Sequence, residues 1–495
     1  MSYQLPADCY NEIIEYLEED KHTLHSCLLV DRLLCGISVK ILWRNIWNFK
    51  SYYQKRPLKV TSSILSTLIA CLPNESKELL YINKIFISTP TSKPPLFNYA
   101  AFCKVLLTHK IIRLVVDFFE AKPSTSPLSI KDRNYLVVNE IIKMFTNQIY
   151  SLEKLTCYCS NINFSFTHFP GVRNLSELCC NSNFPSNFFH QLSQVCHNLQ
   201  SVSIEFSNDI SNELIELISL QNNLRNLNLI AFDLNWANII PALTKHSNTI
   251  TKLHIYSGND NSPLSFINSF SNLQEIAFTF FDENDYEDFS NLQHANFSKL
   301  QILKFPSLCP NPKHVMNFLE HNGQTLKYFY TSESDKALRL SVAKFCPNLR
   351  RLFVIFKNDE LDVLKTILCS CQNLEGIKIQ CGKRFLSQKQ VLETIVNHSP
   401  NNFCELKIYN IGKKSDLSQE DLESFLINWN NRTPKKLLKL IIIKNEGHHN
   451  DFDDYEENMK IINKYESFGT IKFMTKRSYE EEKDEEEDYY FYYHY

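Results

Sequence analysis

Four short stretches carry residue types that could do chemistry. "GKKS", starting at Gly412, ends like a phosphate-binding loop, whose backbone N–H groups would cradle an anion. The glycine such a loop needs five residues upstream is Lys407, so the pattern fails. "HHNDFDD" (448–454) clusters oxygen and imidazole ligands. Taken as a calcium loop from Asp451, its sixth position is Glu456 where the sharp turn requires glycine. "CYC" at Cys157 and "CSC" at Cys369 have no second pair at zinc spacing, and no HExxH occurs among the 15 histidines. The expectation is therefore a chain with no catalytic residues, no metal and no cofactor.

Composition narrows the class further. Only 9 of 495 residues are glycine, too few for the tight phosphate turns of doubly wound nucleotide folds. The net charge of −3 gives no overall basic footprint, so no nucleic-acid partner is expected. "MSYQLPADCYNE" lacks the features of a secretory leader, and no apolar run reaches the ~20 residues of a membrane span. The 16 cysteines are accordingly expected to be reduced, buried thiols in a cytoplasmic or nuclear protein without a membrane partner.

The dominant signal is a repeat: apolar, two variable, apolar, one variable, apolar. It reads "YINKIFI" (Ile82, Ile85, Ile87), "IIRLVV" (Ile111, Leu114, Val116), "SLEKLTC", "NLSELCC", "NLQSVSI", "NLRNLNL", "TITKLHI" and "NLQEIAF". It continues through "KLQILKF", "TLKYFYT", "NLRRLFV", "NLEGIKI", "NFCELKI", "KLLKLII" and "SFGTIKF". From Leu152 to Leu374 the spacing holds at about 23–27 residues. The alternation predicts a strand at each match. The i, i+3, i+4 spacing of "NELIELISL", "HVMNFLEHN", "LDVLKTILCSC" and "QVLETIVNH" predicts helices between strands. One strand and one helix cannot bury their own apolar faces; stacked copies can.

This pattern resembles leucine-rich-repeat proteins over most of the chain, and Cys196, Cys346 and Cys371, three residues before the first Leu, resemble the cysteine-containing subclass. The resemblance implies an α/β fold, a curved solenoid with a parallel sheet inside and helices outside. The family's Asn/Cys ladder after the strand is mostly missing, with Phe206 and Phe232 near its place.

Ahead of the repeats, Leu5 to Trp47 reads as three short amphipathic helices. Ile13, Ile14 and Leu17 share one face; Thr23 is the expected N-cap of the second helix, and Leu34, Ile37 and Ile41 line the third. The segment resembles an F-box, and F-box followed by repeats is similar to a common eukaryotic architecture. The positions carried over are Leu5, Pro6, Ile13, Ile14, Leu17, Leu28, Val30, Leu42 and Trp43, with Leu34 where such boxes usually carry Trp. The implied organisation is an F-box over 1–50, a linker with irregular first repeats over 51–150, repeats over 151–475 and a disordered acidic, aromatic tail over 476–495.

The resemblance implies a non-enzymatic target-recognition subunit of an SCF-type cullin–RING ubiquitin ligase. The box would bind the adaptor subunit and, through it, the cullin and RING subunits. The sheet face would bind a target protein. Its candidate contacts are His254, Tyr256, Tyr328, Tyr330, Arg351, Phe353, Ile355, Lys378, Lys407 and Tyr409. Tyr and Arg are favoured at binding hot spots. The alternative is a ligase-independent interaction scaffold whose first helices cap the repeats.

Overall fold

The structure, a computed structural model, describes residues 5–47, 58–89, 94–120, 126–158, 169–207, 210–231, 236–257, 263–280, 283–382, 384–411, 417–444 and 456–477. "GKKS", "HHNDFDD", Phe232 and residues 478–495 lie outside the described residues. The chain divides into two compact units, Met1–Ile230 with Asn238–His246, and Ala231–Ala237 with Ser247–Tyr495.

The first unit opens with α1 (Ala7–Glu15), α2 (Lys21–Cys27) and α3 (Arg32–Arg44), followed by α4 (Leu58–Cys71) and α5 (Asn74–Ile82). Next come β1 (Val105–Leu107), α6 (Thr108–Glu120), α7 (Ile130–Gln148), β2 (Lys154–Cys157) and β3 (Glu177–Asn181). The unit continues with α8 (Ser186–Ser193), β4 (Ser201–Phe206), α9 (Asn212–Ser219), β5 (Asn226–Ala231) and α10 (Ile240–Thr244). The strands pair in chain order, with Leu155 beside Leu178 and Leu178 beside Val202 in parallel register.

The second unit begins with β6 (Lys252–Ser257), β7 (Glu275–Phe280) and β8 (Ile302–Phe305), joined by 3₁₀ turns at Ser265–Ser269 and Glu283–Leu292. From there strand and helix alternate: α11 (Pro312–Asn322), β9 (Tyr328–Thr331), α12 (Lys336–Phe345), β10 (Arg351–Phe353), α13 (Leu361–Ser370) and β11 (Gly376–Gly382). The series ends with α14 (Gln388–His398), β12 (Glu405–Ile411), α15 (Gln419–Asn430), β13 (Leu438–Lys444), α16 (Glu456–Ser467) and β14 (Ile471–Arg477). Parallel register lines up Leu253, Ile276, Leu303, Phe329, Leu352, Ile377, Leu406, Leu440 and Phe473, the middle apolar position of nine successive strands. Chain-order parallel strands at this period, each returning through a helix or turn, are the arrangement of a leucine-rich-repeat array.

Helix starts follow local chemistry. The Ser129, Ser211, Asp335 and Ser418 side chains accept from Asp132, Leu214, Leu338 and Asp421 backbone N–H groups, and Ser387 with Gln390 forms a full capping box. Three expectations need correction. The N-cap of α2 is Asp20, which accepts from Thr23 N at 3.0 Å and Thr23 Oγ1 at 2.6 Å. "YINKIFI" and "IIRLVV" are not strands: Ile82 ends α5, and Ile111, Leu114 and Val116 lie in α6. Ile111, Leu114, Val115 and Phe118 are buried together at helical spacing, a pattern that satisfies the same letters as the strand motif.

The repeat units are also tied together at the helix ends. Cys196 Sγ reaches Leu175 O at 3.8 Å, and Cys371 Sγ reaches Cys346 O at 3.4 Å. Both thiols are pushed up to about 12 by burial. Polar residues fill the same slot elsewhere. Gln221 Nε2 donates to Cys196 O at 2.9 Å while its Oε1 accepts from Leu199 N at 3.0 Å. Asn322 does the same with Ala295 O and Phe297 N, both at 2.7 Å. His246 Nε2 donates to Ile218 O at 2.8 Å. Gly323 follows Asn322 because a Cβ there would sit 2.5 Å from Phe345 O.

Burial holds His246 below the usual imidazole range, outweighing the carbonyl it bonds. A basic group with a depressed folded-state value contributes stability that is present above its ordinary value, near ~6.5, and lost as pH falls. His246→Gln, which copies the Gln221 arrangement, is expected to flatten the decline of unfolding temperature between about pH 7 and pH 5 relative to the native chain. Equal slopes for the two proteins would remove His246 as the acid-sensitive group.

Candidate functional site

Two surfaces hold the residues singled out by the sequence. In the first, α1, α2 and α3 enclose a small core of Ile14, Leu24, Ile37 and Ile41, with Leu17, Leu34 and Leu42 packed half-buried against it. Leu28 is also half-buried, and Pro6 is exposed. Leu5, Ile13 and Val30 stay outside, 49%, 52% and 67% exposed. Tyr16 and Leu29, at 88% and 90%, join this exposed apolar set; the helical pattern did not single them out because they fall off the core face. Trp43 faces inward, its ring 4.5 Å from that of Tyr99.

The three helices are fastened to the first strand of the same unit. Trp47 is buried and its Nε1–H donates to Val105 O at 2.6 Å. Lys104 N donates to Arg44 O at 2.9 Å, which places α3 next to β1. Arg44 also pairs with Glu15 through its two terminal guanidinium nitrogens, a hydrogen-bonded arrangement that lowers the Glu15 carboxyl and raises Arg44.

The second surface is the strand face of the second unit opposite the aligned apolar row. One register row runs His254, Ala277, Lys304, Tyr330, Phe353, Lys378, Lys407. The row two residues earlier runs Lys252, Glu275, Ile302, Tyr328, Arg351, Gly376, Glu405, Lys439. Nine of the ten expected contact residues lie on β6, β9, β10, β11 and β12, and Ile355 follows β10 half-buried. Arg351 is exposed, whereas Tyr256 and Phe353 are each only 7% exposed and offer little surface.

Packing on this face is specific. The Tyr330 and Phe353 rings lie 4.3 Å apart, and Lys378 Nζ sits 5.4 Å and 4.9 Å from their centres. Lys304 Nζ lies 5.5 Å from the Tyr328 ring. An ammonium over an aromatic face is attracted by the ring quadrupole. Two carboxylates organise the cations. Glu275 meets Lys304 at 3.0 Å, His254 at 3.3 Å and Lys252 at 3.5 Å. Glu405 leans over Gly376 and meets Lys439 at 3.1 Å and Lys407 at 3.9 Å. Sequence alternation places Glu275 and Glu405 on this face, but their shared pairing across strands follows only from the register.

Among the described residues no group of three His, Cys, Asp or Glu could hold a metal ion. No helix among them is long and apolar enough to cross a membrane.

Burial pushes the Glu275 carboxyl up, but the His254 hydrogen bond and the Lys304 charge outweigh it and hold the group well below the usual carboxylate range. A depressed acid contributes stability above its ordinary value and loses it as pH falls. Glu275→Gln is expected to cost about 2 kcal/mol in urea unfolding at neutral pH, because it takes the charged acceptor away from the half-buried Lys304 and His254. The gap should narrow as pH falls through and below about 4.5; a constant gap would show that the ion pairs do not carry the cost.

No family model matches the chain, and no curated protein sequence matches it. The crystal structure of the leucine-rich repeat-containing protein LegL7 from Legionella pneumophila is similar at 11% identity and a TM-score of 0.33, covering 66% of this chain and 94% of that one.

Proposed function

We propose that the chain is the target-recognition subunit of an SCF-type cullin–RING ubiquitin ligase. One observation carries this reading. A three-helix unit that already has its own core leaves Leu5, Ile13, Tyr16, Leu29 and Val30 in solvent, at the head of a strand–helix repeat array. Exposed large apolar side chains grouped on so small a unit suit a partner that completes the burial. In this reading α1–α3 bind the adaptor subunit, the adaptor links the chain to the cullin and RING subunits, and the strand face of the second unit holds a target protein. The chain then supplies orientation and effective concentration, and the conjugating enzyme supplies the chemistry.

A second reading has its own support. Trp47 buried on Val105 and the bond from Lys104 to Arg44 would equally anchor a helical cap on β1 in a ligase-independent interaction scaffold.

Co-purification of the full chain with the adaptor subunit separates the two. Stoichiometric capture is expected, and Ile13→Asp/Leu29→Asp should abolish it with the fold intact, since both side chains are exposed. Failure of the native chain to capture the adaptor would leave the scaffold reading.

A further inference from the structure

The strand face of the second unit carries a charge pattern of its own. On β10 to β13, Arg351, Lys378, Lys407 and Lys439 occupy four successive strands in the two facing register rows. Among the described residues of these strands one carboxylate, Glu405, stands with them. Arg351 is exposed, and its guanidinium has no hydrogen-bond or ion-pair partner among the described residues. Lys378 is held over the Tyr330–Phe353 pair, whose ring faces attract and position its ammonium. The chain as a whole is acidic, net −3, so this excess of cations is local to the face.

The spacing says what kind of anion fits. The cations are strung out at one per strand, about 4.8 Å apart across the sheet. A single phosphate group is gripped best by donors converging on one point, and Arg does this bidentately. Here only one of the four cations is Arg, and the four spread over four strands rather than meeting. An extended run of carboxylates, one every few ångströms, matches such a line. The half-buried Tyr330 beside it offers an aromatic contact at one end.

We infer that this face binds a carboxylate-rich, Asp/Glu-containing segment of a partner protein, laid across β10 to β12 with Lys439 at its edge, since past Lys439 the outward side of β13 is closed by the buried Ile441 and Ile443. The inference rests on reading the strand face as a protein-binding surface and names the chemistry of its ligand. It does not depend on the adaptor.

The test titrates the full-length chain with a labelled peptide of about a dozen Asp and Glu residues, followed by fluorescence anisotropy. Parallel titrations use its Asn/Gln counterpart, an otherwise neutral phosphoserine peptide and a single-stranded oligonucleotide. Saturable binding of the acidic peptide is expected, weakened about tenfold on raising salt from about 50 to about 300 mM. Arg351→Gln/Lys378→Gln should weaken it about tenfold or more. Lys365→Gln, which removes an exposed cation from α13 on the helix side, should leave it unchanged. No saturation, equal binding of the Asn/Gln peptide, an equal loss in Lys365→Gln, or tighter binding of phosphoserine peptide or oligonucleotide would each overturn the inference. Peptide binding without adaptor capture would defeat only the ligase reading, and adaptor capture without peptide binding would defeat only this one.

Discussion

Everything in this protein hangs on backbone register between parallel strands. Each strand donates to and accepts from its neighbours at fixed residues, so one apolar position per strand is carried across nine strands of the second unit without a slip. A shift of one residue would turn every core side chain to the other face. The helix ends guard against that shift. Cys196, Gln221, His246, Asn322 and Cys371 each reach back to a main-chain carbonyl of the preceding unit. The sheet and these bonds fix the same spacing from two sides.

Within that lattice the two faces of a strand do different work, and packing decides how sharply they differ. The core behind β7 and β8 is filled by phenylalanine: Phe278 lies 5.5 Å from Phe280 and Phe289, and 5.9 Å from Phe305. β7 is buried on both faces because its small outward residues, Ala277 and Thr279, are overshadowed by larger neighbours. On β13 the outward Ile441 and Ile443 are buried as well. A run such as "LIII" therefore marks a strand covered on both sides, which alternation alone does not reveal.

The repeat was legible along most of the array, whether a helix or a 3₁₀ turn returned the chain: thirteen of the quoted matches coincide with β2 to β14. It failed at the start, where Ile111 and Leu114 satisfy the motif from within a helix and the true first strand is only Val105–Leu107. Its register with β2, Leu106 beside Leu155, puts the polar Thr108 at the third apolar position of the motif, so the pattern is broken there. The α2 cap was misplaced by three positions because Asp20 and Thr23 are both good caps that in fact bond each other. The strand-face residues were legible by alternation. That Phe353 would be nearly closed over was not, since its cover comes from Tyr330 and Lys378 on the neighbouring strands. Gln221, His246 and Asn322 escaped notice as the counterparts of Cys196 because they share no chemistry with it, only a position.

That shared position has a genetic consequence. The acceptor is always a main-chain carbonyl, so the helix-end bond does not depend on which side chains the preceding unit carries. Polar amide, imidazole and thiol have all been admitted to the same slot. A tandem duplication of about 25 codons would thus splice a new unit between two old ones and find its bonding partners already in place. Each such event would lengthen the face by one strand, about 4.8 Å, and carry every later side chain along unchanged in aim. The array can change its reach by whole steps while selection edits its outward residues one codon at a time.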